Sequence, residues 1–234
     1  MLRRFSTRFF GGALVVVALL TPTRSFADSI LGFTGITSPQ GSFGGLGGLF
    51  ELSNAINQSG LSATYTSGVT DFASFVATTT HNSNPAGFNS GFTNTQAPPG
   101  QFSLDLGAAV AIDALAFWDT QESGSVHQFR LYADTNNVFG DGGLILIGTF
   151  SATGGGFGEP QPVSAQVFTF APITTRFLHI DVINMQGGTN LIPGIGELAA
   201  RSAAPVPEPA TLTLVGLGLA VAWCYRRRRG GNTR

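Results

Sequence analysis

Phe102-Ser103-Leu104-Asp105-Leu106-Gly107 decides the fold class of this chain. Apolar and polar residues alternate with a period of two, the period of a strand that lays one face on a core. The pattern predicts Phe102, Leu104 and Leu106 inward, with Ser103 and Asp105 outward. The same pattern continues downstream. Residues 114–118 are apolar on both faces, and 128–134 alternate through Phe129, Leu131 and Ala133. After a turn rich in Asn, Gly and Asp, residues 144–150 follow as the expected hairpin partner. Runs at 166–170, at 176–182 with Leu178, Ile180 and Val182 inward, and at 197–203 close the series. Short strands at regular spacing, separated by turn chemistry, predict an all-β sandwich.

Upstream the pattern is weaker. Residues 71–78 alternate, with Phe72, Ser74 and Val76 on one side and Ala73, Phe75 and Ala77 on the other, and predict another strand, apolar on both faces. Residues 81–100 are rich in Asn, Ser, Gly and Pro and predict a long exposed loop, the kind of segment on which binding residues concentrate. Residues 50–58 have helical spacing through Leu52, Ala55 and Ile56, and 30–33 read as a short first strand. The glycine-rich run at 41–48 reads as a loop; a phosphate-binding loop calls for a lysine, and the chain has none.

The two ends concern destination. Arg3, Arg4 and Arg8 precede an apolar stretch at 11–20, and Ser25-Phe26-Ala27 offers small residues at the positions a signal peptidase inspects. Residues 1–27 therefore read as a secretory signal, cut between Ala27 and Asp28. At the other end Val206-Pro207-Glu208-Pro209 leads into an apolar run at 210–225, then into Arg226, Arg227, Arg228 and Arg229. The prolines keep the preceding segment extended, the apolar run can enter a bilayer, and the arginines hold its end on the cytoplasmic side. The run falls short of the roughly twenty residues that span comfortably, which suits a temporary anchor.

This tail resembles the PEP-CTERM sorting signal of Gram-negative bacteria that make exopolysaccharide. The resemblance implies transient insertion in the inner membrane, recognition of Pro207-Glu208-Pro209 by an exosortase-type protease, and delivery to the cell surface or extracellular matrix. An ordinary membrane anchor is the alternative. A second resemblance lies in the body. Phe102-Ser103-Leu104-Asp105-Leu106-Gly107 with Val110-Ala111-Ile112-Asp113, then Thr175-Arg176-Phe177-Leu178-His179-Ile180-Asp181-Val182, then Gly194-Ile195-Gly196-Glu197-Leu198, resemble in order the strands of a discoidin (F5/8 type C) domain. The resemblance implies a galactose-binding-like jelly roll whose usual work is non-covalent binding of glycans or other surface ligands. The matched pieces are scaffold strands, so no ligand residue carries over. The cysteine pair of many members is missing: Cys224, the one cysteine, lies in the tail.

The formal charge of the whole chain, −1, hides an asymmetry. Nine of the twelve arginines lie in the terminal segments, and residues 28–204 carry three arginines against twelve carboxylates, a net of −9. A body so acidic has no basic patch for nucleic acid.

Candidate chemistry is sparse. Asp134, Asn136 and Asp141, with Gly142, place hard oxygen donors close together, as calcium prefers, but such clusters are also ordinary hairpin chemistry. No other cofactor is indicated. His81, His127 and His179 have no zinc spacing, and alternation turns His179 outward. No nucleophile elbow appears, and Asp119 and Glu122 are candidate acids only by default. Phe117 and Trp118 read as core, whereas Phe88, Phe92 and Phe157 lie in predicted loops and read as a ligand surface. The whole reads as a signal peptide at 1–27, a discoidin-like jelly-roll β-sandwich at 28–204, and a sorting tail at 205–229 with a single transmembrane helix. The expected function is that of a non-enzyme that binds or organises extracellular polysaccharide. The alternatives are a structural biofilm protein without a discrete pocket and a polysaccharide hydrolase.

Overall fold

The computed structural model describes residues 28–44, 49–83, 89–94, 100–120, 124–153, 162–186 and 191–203. The signal at 1–27 and the tail at 205–229 lie outside the described residues. Among the described residues no helix is long and apolar enough to cross a membrane.

Two long strands organise the body: β5 (Gln101–Trp118) and β9 (Gln166–Met185). Each merges two runs that read as separate strands in the sequence. They pair antiparallel along their length, Gln101 opposite Asp181 and Phe117 opposite Gln166, with the register broken between Asp105 and Val110. Gly107 sits at that break with φ +80°, and its N–H donates to Asp105 Oδ1 at 2.7 Å. A side chain there would be strained by the backbone and would meet Thr34 Cγ2 at 3.1 Å. Strands that bend at such irregularities pass from one sheet to the other.

The first half of β5 and the second half of β9, with β2 (Gly35–Thr37), β6 (Val126–Asp134) and β7 (Ile145–Ser151), make one layer, here the first sheet. The other halves join β1 (Ile30–Leu31) and β11 (Glu197–Ser202) in a second layer, here the second sheet. The pairing is continuous, in the order β1–β11–β5–β9–β6–β7 with β2 on β5, and the bent long strands carry it through both layers. Short pairs β3 (Thr80–His81) with β8 (Val163–Ser164), and β4 (Gly91–Phe92) with β10 (Gly194–Ile195), complete the strands. The chain thus forms the expected all-β sandwich, and β6–β7 is the expected hairpin.

Between the sheets lies the main core. Phe102, Leu104, Phe129, Leu131, Leu178, Ile180 and Val182 meet Ile112, Leu115, Phe117, Leu198 and Ala200. Phe117 of the second sheet stacks on Phe129 of the first, with centroids 5.7 Å apart. Phe102, Leu104, Phe129, Leu131, Leu178, Ile180 and Val182 face inward as alternation predicts, whereas Leu106 is only partly buried against this core.

The segment 71–78 departs from expectation. It is a helix, α1 (Phe72–Thr78), with Asp71 as its N-cap accepting the Ser74 N–H at 2.8 Å. Phe72, Phe75 and Val76 satisfy helical spacing as well as alternation, and the cap decides between the two. Phe72 and Phe75 join Ile30 and Tyr65 over the outer face of the second sheet, against Ala114, Ala116, Trp118 and Ala199. The three alanines leave the room that α1 occupies. Residues 50–58 hold only a 3-10 turn, Leu52–Ala55.

Candidate functional site

At the end of the sandwich where β3, β4 and β10 meet, the polar groups are interior. His81 is fully buried, with Nε2 3.1 Å from Asn89 O and Nδ1 3.4 Å from Ser83 Oγ, which pairs with Ser90 Oγ at 2.9 Å. Burial pushes the His81 imidazole down to about 4, so it is neutral at physiological pH. Asp119 accepts from Ser125 Oγ at 2.5 Å and from the Thr120 N–H at 2.8 Å, and burial raises its carboxyl well above the usual range. Gly196 makes this seam feasible, since a Cβ there would lie 2.7 Å from Asp119 O and 2.8 Å from His81 Nδ1.

Within 81–100 the expectation of an exposed loop is overturned at its described positions His81, Ser83, Ser90, Phe92 and Thr93, all buried. Phe92, expected on a ligand surface, is 5% exposed. Its ring meets Phe50 edge-on at 5.6 Å and faces Gly194 of β10, where a side chain would collide with it. Phe88, Phe157 and Glu122 lie outside the described residues.

The β6–β7 hairpin holds the oxygen donors singled out in the sequence. Asn136 Nδ2 donates to Asp141 Oδ2 at 2.8 Å, Asn136 Oδ1 accepts the Val138 N–H, and Asp141 Oδ1 accepts the Gly143 N–H. These two residues close the turn on each other. Asp134 is buried, 3% exposed, with Oδ2 3.5 Å from His179 Nε2. Among the described residues no group of three His, Cys, Asp or Glu could hold a metal ion.

His179 and Ser103 also correct the sequence reading. Alternation does turn both away from the core, yet both are buried. The hairpin folds over that outer face, and Phe139 lies edge-on to the His179 ring at 5.5 Å. His179 Nδ1 pairs with Ser103 Oγ at 2.8 Å, and Nε2 faces Asn136 O at 3.3 Å. The line Ser103–His179–Asp134 has the residue types of a hydrolytic triad, but all three are buried, so no substrate carbonyl reaches Ser103. Its work is to tie β5, β9, β6 and the hairpin together. His127 is exposed.

Glu197 is a residue that sequence reasoning passed over as plain strand. It is fully buried; Oε2 accepts the Gln58 N–H at 2.9 Å, while Oε1 has no hydrogen-bond partner among the described residues. Burial pushes its carboxyl up to about 9. Gln58, itself at φ +65°, accepts the Tyr65 N–H at 2.7 Å, and the Tyr65 hydroxyl is likewise buried without a partner among the described residues. The only signal in the sequence is an acid at the start of an apolar strand.

Beside the hairpin, the outer face of the first sheet is only partly covered by the described residues: Arg130 is exposed, and Gln101, Asp181 and Tyr132 are half-buried. Gln101, Asp181 and Arg130 stand opposite one another on β5, β9 and β6. Gln40 Nε2 donates to Gln101 Oε1 at 3.3 Å, Gln101 Nε2 to Asp181 Oδ1 at 3.5 Å, and Arg130 Nη1 to Asp181 Oδ2 at 3.4 Å. In the next row Tyr132 stands opposite Leu146, which is 55% exposed, and meets Phe139 edge-on at 6.1 Å. The arginines of the body are all paired: Arg130 with Asp181, Arg176 with Asp105 at 2.9 Å, and Arg201 with Asp113 at 2.6 Å.

Three solved structures similar to this chain are the family 32 CBM from C. perfringens NanJ in complex with galactose, the chitosan-binding module 1 derived from the chitosanase/glucanase of Paenibacillus sp. IK-5, and the CBM32 of AlyQ in complex with 4,5-unsaturated mannuronic acid. The first is 17% identical with a TM-score of 0.45, covering 74% of this chain and 98% of its own. The second is 12% identical at 0.43, covering 75% and 97%, and the third 13% identical at 0.43, covering 73% and 96%. No curated protein matches the chain. Residues 205–229 match the PEP-CTERM protein-sorting motif, so the chain carries the mark of an exported protein sorted by an exosortase.

Proposed function

We propose that this protein is a non-catalytic binder or organiser of extracellular polysaccharide at the surface of a Gram-negative cell. The observation that carries the reading is the match of 205–229 to the PEP-CTERM protein-sorting motif; in this reading the tail delivers the body to where exopolysaccharide is laid down. In this reading the signal at 1–27 is removed before Asp28, the tail resides briefly in the inner membrane, and 28–204 is the working domain. Two features of the body support a binding role over turnover. Four described groups of catalytic residue type, His81, Asp119, His179 and Glu197, are buried. The partly open face presents planar polar side chains and an aromatic ring.

The test is binding of the 28–204 domain to the exopolysaccharide of its own host, by affinity electrophoresis with and without a calcium chelator. First and last strands pair with each other, Ile30 opposite Arg201, so this span closes on itself. Saturable retardation is expected. Depolymerisation of the polysaccharide would replace the reading by a hydrolase.

A second reading, a structural matrix protein that self-associates, is favoured by one observation. Strand β7 is the edge of its sheet, pairs only with β6 among the described strands, and exposes Ile145 at 59% and Leu146 at 55%. Uncharged, apolar edges of this kind template further strands. Concentration-dependent association without glycan binding would select it.

A further inference from the structure

We propose that the partly open outer face of the first sheet, along Gln101, Asp181, Arg130, Tyr132 and Leu146, binds an uncharged polysaccharide chain. This inference rests on the glycan-binding reading and adds a place and a ligand class to it.

The floor of the face comes from strand pairing. Gln101, Asp181 and Arg130 are register partners on three neighbouring strands, so their side chains form one line across the sheet. Neighbouring strands lie about 4.8 Å apart, a step on the order of one sugar unit in an extended chain. Their mutual hydrogen bonds are long, 3.3 to 3.5 Å from Gln40 through to Arg130, and the Arg130 side chain is 47% exposed beside an Asp181 side chain at 16%. Amide, carboxylate and guanidinium groups held this loosely keep donors and acceptors for hydroxyls, and planar groups give bidentate contacts. One row further along, Tyr132 and the exposed Leu146 provide the apolar surface on which the C–H face of a sugar ring rests. The hairpin that covers His179 bounds the face on that side, bringing Phe139 against Tyr132 and leaving Val138 55% exposed.

The ligand class follows from the charges. Residues 28–204 hold three arginines and no lysine, and each arginine has an aspartate partner. His81 and His179 are buried, and burial lowers the basicity of both. A uronate or sulfated chain would meet paired arginines on a body of net charge −9. A hydroxyl-rich neutral chain requires no counter-charge. On this face Asp181 acts as the neutraliser: it keeps Arg130 from recruiting polyanions.

The experiment measures binding of the 28–204 domain to laminarin, a neutral galactan, polygalacturonate, chitosan oligomers and host exopolysaccharide. Its variants are Gln101→Ala, Leu146→Ser, Tyr132→Ala and Asp181→Asn, with Val69→Ser, 68% exposed on another part of the surface, as control. Expected is binding to a neutral chain, weakened ~tenfold or more by Leu146→Ser and Gln101→Ala and unchanged by Val69→Ser. Both informative variants change partly exposed side chains, so the test survives if Tyr132→Ala fails to fold. Asp181→Asn is expected to gain salt-sensitive binding to polygalacturonate. Wild-type binding that none of the face variants weakens overturns the site and leaves the glycan reading standing. Tighter wild-type binding to polygalacturonate or to chitosan than to neutral chains overturns the ligand class. Binding to none of the five overturns the glycan reading itself.

Discussion

The two outer faces of the sandwich have opposite fates. The second sheet presents Ala114, Ala116, Trp118 and Ala199, and the chain spends α1 and the segment around Tyr65 on covering them. The first sheet presents Gln101, Arg130, Tyr132 and Asp181; among the described residues Gln40 reaches Gln101 and the β6–β7 hairpin leans over part of the face, sealing His179 and Ser103. An apolar outer face must be covered for the domain to be stable, whereas a polar one is already satisfied by water and can be left for a ligand. The comparison predicts that substitutions on the covered side act on stability and substitutions on the open side act on binding.

The largest effect belongs to Trp118→Ala. The ring is fully buried, edge-on to Phe75 at 6.2 Å, and donates from Nε1 to Thr79 O at 3.0 Å. Loss of about 3–5 kcal/mol is expected in denaturant unfolding, from the cavity and the orphaned carbonyl. A loss confined to binding, with stability retained, would break the comparison. His179→Gln comes next, because it tests the sealed corner of the otherwise open sheet. Loss of its bond to Ser103 and its contact with Asp134 is expected to lower stability by about 1–3 kcal/mol, and to loosen the hairpin, seen as faster amide exchange at 136–141.

Glu197→Gln sharpens the covered side through pH. The folded carboxyl is pushed up to about 9 by burial, above its ordinary value in the unfolded chain, so the folded state holds the proton more tightly. The stability this contributes is complete below the ordinary carboxylate range and is lost as pH rises from there toward 9. The wild type should therefore lose stability across that window, and Glu197→Gln should flatten the slope; an unchanged slope would show that Glu197 ionises freely in the fold. The smallest stability effect is expected from Arg130→Gln, which removes the half-exposed partner of a 3.4 Å pair and should shift unfolding by less than ~1 kcal/mol.

Much of this architecture is legible in the sequence. Alternation places Phe102, Leu104, Leu178, Ile180 and Val182 in the core correctly, because a strand that lays one face on a core admits no other arrangement. The tail is legible because its three parts follow in a short span. Less legible is whatever depends on distant segments. Phe72, Phe75 and Val76 fit both a strand and a helix, and only the cap at Asp71 separates them. His179 does face away from the core, but the cover that buries it arrives from a hairpin some forty residues upstream. Phe92 reads as exposed because its neighbours are loop-forming, while Gly194, which leaves room for its ring, lies far along the chain. The open polar row is invisible in one dimension, since Gln101, Arg130 and Asp181 come together only through the pairing of three strands.

The most direct measurement is a titration of the isotopically labelled 28–204 domain with host exopolysaccharide, followed through its backbone amide resonances. The account predicts saturable shifts centred on Gln101, Arg130, Tyr132, Leu146 and Asp181, with α1 and the residues around Trp118 unmoved. Saturable shifts centred elsewhere, or none at any concentration, would contradict it.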